Sequence, residues 1–278
     1  MSLIFKRLHH EVFANCNFSS FTHFGCPLPL SQSQRKPGSA ILTCVLLLTA
    51  EFPWQASLQW LDEHNCGASL ISDTWLITAA HCVYGDLASD FRVVLGAHDL
   101  HTQKEGAYRL FTVAKIIIHP DYNGQATKPG DIALIRLTKP ADISTKFIRP
   151  IQLPEEGELF DRDSHDKAVT CFISGWGSLY GLGTMIPNIL QKLRVEVLPR
   201  DFCVAPGRGK HHLCVRDVHR TGSACSGDSG GPVACHVDGG WRLAGAASYV
   251  FNDCDNIIPN VYTSISFYRK WIRENTGL

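Results

Sequence analysis

The sequence predicts an all-β protein, arranged as a sandwich or as barrels, and three observations carry that expectation. Between residues 51 and 262, short stretches rich in Val, Ile, Thr and aromatics recur with Gly, Pro, Asn or Asp between them. They are ASLQWL, ASLIS, WLITAA, FRVVLG, FTVAKIII, DIALIRL, AVTCFISGWG, LRVEV, HLCV, PVACHV and WRLAGAASYV. So many strands with so little helix favour antiparallel sheets over an alternating strand and helix architecture. Composition agrees, because only 19% of the 278 residues are charged while Gly (23) and Pro (14) supply turns.

One helix is expected, in the tail SISFYRKWIREN, about residues 263–275. There Ile265, Tyr268, Trp271 and Ile272 share one face at spacings of three and four.

The 26 basic and 26 acidic residues cancel, so nothing invites a polyanion and nucleic acid is not an expected partner. The 11 cysteines include no Cys-x-x-Cys pair, which points to disulfides formed in an oxidising compartment rather than to a metal or redox site. Eight follow residue 60 (Cys66, Cys82, Cys171, Cys203, Cys214, Cys225, Cys235, Cys254), an even set able to close four bridges. Cys16, Cys26 and Cys44 belong to a different kind of sequence, residues 1–50. In it AILTCVLLLTA suits a secretory hydrophobic segment: it is short for a membrane span, follows Arg35 and Lys36, and ends at Ala50.

Three stretches carry chemistry. TAAHC puts His81 at the end of an apolar strand, where a histidine alone is more often packed than catalytic. GDIALIRL places Asp131 at the start of a strand, which alone is usually a turn residue. ACSGDSGGPVAC is sharper: Ser229 lies among glycines that let a substrate backbone approach, since glycine has no Cβ in the way. A serine becomes a nucleophile at neutral pH when a base takes its proton and a third group holds that base in one tautomer. His81, Asp131 and Ser229 can fill those roles. Gly227 to Gly231 also satisfies the Gly-x-Ser-x-Gly elbow of α/β-hydrolases, but that fold needs the acid and then the histidine after the serine. Only His236 follows Ser229, and no strand and helix alternation precedes it.

TAAHC, DIAL, SGWG and GDSGGP, in this order, resemble the chymotrypsin-family serine peptidases from about Glu51 to the C-terminus. The resemblance implies two antiparallel six-stranded β-barrels followed by a C-terminal helix. The first barrel would span about 51–160, the second about 161–262, and the site would lie between them. It implies His81 as general base, Asp131 as its orienting carboxylate and Ser229 as the nucleophile that forms an acyl-enzyme. Gly227 and Ser229 would supply the oxyanion-hole N–H groups. It further implies disulfides Cys66 with Cys82, Cys171 with Cys235, Cys203 with Cys214 and Cys225 with Cys254. Partners would be protein or peptide substrates and protein inhibitors, the protein would be a secreted monomer with no membrane span, and no cofactor would be required.

The resemblance places Ser223 at the floor of the primary pocket, Ser248 at the start of the strand that pairs with substrate, and Val250 and Asn260 in the pocket walls. A neutral floor leaves a buried Lys or Arg unpaired, so cleavage after basic residues is disfavoured. Side chains at Val250 and Asn260 narrow the slot, similar to the pancreatic elastases; a preference for larger apolar residues is the alternative. No metal is expected. Ala97 stands where a calcium carboxylate would be, with Tyr108 and Arg109 near the other ligand positions. His98, His101, His211 and His212 are expected to be surface histidines, and EEGELFDRDSHD a solvated loop.

In the family a freed N-terminal ammonium pairs with the aspartate before the serine, here Asp228, and orders the oxyanion hole. Counting back from Pro53 reaches Ile41, which no glycines follow and no basic residue precedes, so the match is read as coincidence. Residues 1–50 are therefore expected to be an atypical leader joined to the domain with the activation segment omitted, with Asn17 a formal glycosylation acceptor. Asp228 would then lack its cation and the chain would be poorly active. A secreted endopeptidase is the leading expectation, and a zymogen-locked or catalytically silent homologue serving as a binding module is the alternative.

Overall fold

Gln55–Trp60 forms β1, which pairs antiparallel with β2 (Glu63–Leu70) across a bulge at Leu58 and Gln59. β3 (Trp75–Thr78), β4 (Phe91–Leu95), β5 (Arg109–Ile118) and β6 (Ala133–Leu137) complete a closed barrel in the order β1-β2-β3-β6-β5-β4. The alternation in β5 shows why: Phe111 and Val113 are buried while Leu110, Thr112 and Ala114 between and beside them are exposed. Their inward side chains meet Leu58, Leu70, Leu76, Leu95, Leu134 and Ile135 in one core.

This computed structural model describes residues 50–102, 107–161, 169–179, 185–199, 202–203, 209–251, 254 and 257–278. The leader expectation, with Cys16, Cys26, Cys44, Asn17 and Ile41, lies outside them.

A second closed barrel has the order β10-β11-β12-β9-β8-β7. Its strands are β7 (Thr170–Gly175), β8 (Gln191–Val197), β9 (His212–Asp217), β10 (Pro232–Val237), β11 (Gly240–Tyr249) and β12 (Asn260–Ser264). The all-β class with two six-stranded barrels is therefore the fold. Four disulfides join Cys66–Cys82, Cys171–Cys235, Cys203–Cys214 and Cys225–Cys254, the pairs that the resemblance implies.

Three expectations need correction. The helix, α1 (Arg269–Thr276), starts later than 263, because Thr263 and Ser264 still pair with His212, Ala246 and Gly245 in the sheet. Tertiary pairing there outweighs local periodicity, although Ile265, Tyr268 and Ile272 do share the buried face, packed into the first barrel's core. His211 and His212 are not surface histidines: their rings lie 4.2 Å apart, His212 is buried, and desolvation lowers the pKa of His211. The acidic stretch is only partly solvated, since Phe160 and Asp161 are buried and Glu158 pairs with Arg242 at 3.1 Å.

Candidate active site

β3 ends at Thr78, and a single turn of 3-10 helix, Ala80–Cys82, turns His81 toward the junction of the barrels. The Cys66–Cys82 bridge ties that turn back to β2. Asp131, just before β6, is 1% exposed and meets His81 twice: the His81 backbone N–H donates to Oδ1 at 3.0 Å, and Nδ1 lies 2.9 Å from Oδ2. A carboxylate only accepts, so the Nδ1 contact places the imidazole proton on Nδ1 and leaves Nε2 with a lone pair. A ring so held can accept a proton from a hydroxyl.

The second barrel contributes to the same carboxylate. Ser248 Oγ donates to Asp131 Oδ2, and Thr263 Oγ1 donates to the Asp131 carbonyl at 2.7 Å. Ser248, expected at the start of the substrate-pairing strand, thus sends its side chain to Asp131. The role of Thr263 was missed, because a threonine in a strand carries no local signal of a partner 132 residues away.

The glycine-rich loop is built by close approach. Gly67 N–H donates to the Ser229 carbonyl at 2.7 Å, so a strand of the first barrel fixes the serine's backbone. Gly230 has φ +74, and a Cβ there would lie 2.1 Å from Thr78 Oγ1 and 2.5 Å from the Gly67 carbonyl. No other residue fits. The N–H groups of Asp228, Gly230 and Gly231 donate to the carbonyls of Cys225, Ala247 and Asp228. Among the described residues nothing accepts from the N–H groups of Gly227 and Ser229, which leaves two donors for an external oxygen.

Asp228 points away from Ser229. Its Oδ1 accepts from Gly177 N–H and its Oδ2 from Cys225 N–H, each at 2.9 Å. Although the residue keeps some surface, its carboxylate presses on Gly175 and Gly177, where an added Cβ would come within 2.1 and 2.3 Å of it. Desolvation raises its pKa to about 6 against those two hydrogen bonds. Among the described residues no Lys, Arg or His forms an ion pair with it.

His64 supports the loop from the other barrel. Its Nε2 donates to the Gly227 carbonyl at 3.1 Å, so its Nδ1 accepts from Ser57 Oγ at 2.8 Å. Desolvation lowers its pKa to about 4, which keeps the ring neutral. Sequence reasoning missed His64; a lone histidine in a strand says nothing of a partner 163 residues on.

The structure brings Ser223 and Asn260 together. Asn260 Nδ2 donates to Ser223 Oγ at 2.8 Å, its Oδ1 accepts from Ala224 N–H at 3.0 Å, and Ser223 Oγ donates to the Ala224 carbonyl at 3.0 Å. Val250 packs against the second barrel's core. Among the described residues one grouping has metal-like spacing, Cys66, His81 and Cys82, but both sulfurs are committed to the disulfide.

A fold of two closed barrels, with a histidine, a buried aspartate and a serine loop drawn to their junction, defines a class that comparison with known proteins makes specific. The family model described as Trypsin matches residues 48–272, and the chain belongs to that family of serine endopeptidases. It is similar to mouse Ovochymase-2, with 36% identity over 207 residues, 71% of this chain. The chain spans about a third of that relative's length.

Proposed function

We propose that this protein is a secreted serine endopeptidase that cleaves peptide bonds after small or medium apolar residues. The observation that carries the reading is the pairing of His81 Nδ1 with Asp131 beside a Ser229 loop that leaves two backbone donors uncommitted. Ser229 Oγ attacks the scissile carbonyl carbon while His81 Nε2 takes its proton, and Asp131 stabilises the imidazolium that forms. Negative charge on the carbonyl oxygen is met by the N–H groups of Gly227 and Ser229. The proton on His81 then passes to the leaving amine, giving the acyl-enzyme. Water, deprotonated by the same nitrogen, attacks the ester, and the proton returns to Ser229.

The primary pocket is assigned to Ser223, Val250 and Asn260. Ser223 and Asn260 satisfy one another and carry no charge, so a buried Lys or Arg would find no counter-ion. The side chains of Val250 and Asn260 take up space that a large aromatic needs. The N-terminal region from residue 1 to 50 is proposed as a signal-like leader ahead of the peptidase domain, 51–278. Disulfides accord with secretion. No helix among the described residues is long and apolar enough to cross a membrane. Activity follows the state of Asp228: where a cation matches it, the Gly227 loop is held for catalysis, and where none does, the carboxylate costs energy and the enzyme is weak. The catalytically silent alternative has less support, given the intact histidine and aspartate pair.

Labelling of Ser229 by a fluorophosphonate, absent in Ser229→Ala, tests the chemistry. A series of peptide amides varying only the residue before the cut tests the pocket. The expectation is that kcat/KM for Ala or Val exceeds that for Lys or Arg by at least about 100-fold. Absence of labelling in the full chain and after controlled proteolytic activation would remove the catalytic reading, and a preference for Lys or Arg would remove the pocket assignment.

A further inference from the structure

We propose that Tyr268 is a positioning residue for Asp131, acting through the backbone of Gly130; the inference rests on the catalytic reading of His81 and Asp131. Tyr268 is 3% exposed, at the entry to α1, and its hydroxyl oxygen accepts from the Gly130 N–H at 2.7 Å. Gly130 is the residue immediately before Asp131. Its φ is +90, and a Cβ there would lie 2.6 Å from the Tyr122 nitrogen, so the chain passes tightly beneath Asp121 and Tyr122. The Gly130 carbonyl accepts from Ile132 N–H at 2.7 Å, which wraps a three-residue turn around Asp131. Both polar groups of Gly130 are thus engaged, one by the turn and one by Tyr268.

The phenol is itself fixed. Its ring meets His119 at 4.8 Å and Phe267 at 4.9 Å, and His119 meets Trp271 of α1 at 4.9 Å. His119 N–H donates to the Ile132 carbonyl at 3.1 Å, on the far side of the same turn. The C-terminal helix therefore reaches the catalytic aspartate by a path separate from Ser248 and Thr263. A buried N–H without an acceptor is costly, so removal of this one oxygen forces the peptide before Asp131 to move or to stay unsatisfied. Either result loosens the carboxylate's aim at Nδ1.

The test is Tyr268→Phe in the full chain, which keeps the ring and its packing and removes only the acceptor. Two readouts are compared with Trp271→Phe, which disturbs the same aromatic cluster but no hydrogen bond to Gly130. The first is steady-state kinetics: kcat falls by about tenfold in Tyr268→Phe with KM within about twofold, and falls by less than about threefold in Trp271→Phe, which keeps the acceptor oxygen. The second is the downfield proton resonance of the His81 Nδ1 and Asp131 hydrogen bond, displaced further in Tyr268→Phe than in Trp271→Phe. This resonance needs no turnover, so a parent that stays inactive after controlled proteolytic activation would overturn the functional reading while leaving the positioning role measurable. Should Tyr268→Phe fail to fold, 3-fluorotyrosine at 268 weakens the acceptor and keeps the shape; the Gly130 amide proton and the His81 resonance then move together. An unmoved His81 resonance in the altered protein, or an equal change in Trp271→Phe, would overturn the proposal.

Discussion

The two halves of the site are held in different ways. In the His81 and Asp131 half the oxygens of Asp131 are engaged by neighbouring groups: Asp131 receives the His81 backbone, the His81 ring, Ser248 and, at its carbonyl, Thr263. The Ser229 half rests on glycines pressed against the first barrel and on a carboxylate, Asp228, whose pKa desolvation raises to about 6. One half is preset by the fold, and the other depends on how a charge is met.

The largest expected effects fall on one residue of each half, His81 and Ser229, with Asp131 behind them. His81→Ala or Ser229→Ala lowers kcat by about 10⁶, and Asp131→Asn by about 10⁴, magnitudes taken from the well-known Ser-His-Asp enzymes. Equal losses at Asp131 and Ser229 in single-turnover acylation would erase the distinction between an orienting group and a nucleophile.

A smaller effect separates packing from backbone conformation. Gly230→Ala, with φ +74 and backbone within 2.5 Å of the new Cβ, is expected to cost about 3 kcal/mol or more in chemical denaturation. Gly85→Ala, with φ +93 and nothing within 4 Å, costs only about 1 kcal/mol. Similar midpoints for the two would show that the serine loop is not pinned by the first barrel.

The charge itself is read by pH. Asp228, raised from 3.8 to about 6, favours the folded state at low pH, and that advantage is lost as pH rises through 6. His64, lowered from 6.5 to about 4, does the reverse: its contribution is complete above 6.5 and is lost as pH falls through 4. Between those values the two trends oppose each other and stability changes little. Asp228→Asn removes the buried charge at pH 8, but its amide can accept from only one of the Gly177 and Cys225 N–H groups, so the net gain stays well under about 3 kcal/mol while the loss on acidification becomes steeper. An unchanged pH dependence in Asp228→Asn would mean that a cation already matches the carboxylate.

The smallest effect concerns redundancy in the preset half. Ser248→Ala removes one of several hydrogen bonds to Asp131, and kcat is expected to fall about tenfold with little change in KM.

Much of this arrangement was legible in the sequence because it depends on local signals. Strand periodicity marked eleven of the twelve strands, and β12 escaped because Asn260–Ser264 ran into the helical pattern of the tail. Gly227, Gly230 and Gly231 announced a loop under close approach. The supports of the site were not legible. His64, Thr263 and Tyr268 act on partners more than 130 residues away, and only barrel closure brings them together. The same reason explains His212, a polar residue that the barrel buries beside His211.

The disulfides follow the division into barrels. Cys66–Cys82 lies within the first, and Cys171–Cys235, Cys203–Cys214 and Cys225–Cys254 lie within the second. Among the described residues no covalent link other than the chain itself crosses between them. A single cut in the connection after β6 would leave two separately cross-linked pieces joined only by contacts such as Gly67 to Ser229 and Tyr268 to Gly130. The site would then behave as the interface of a two-part complex, and its integrity would depend on dilution.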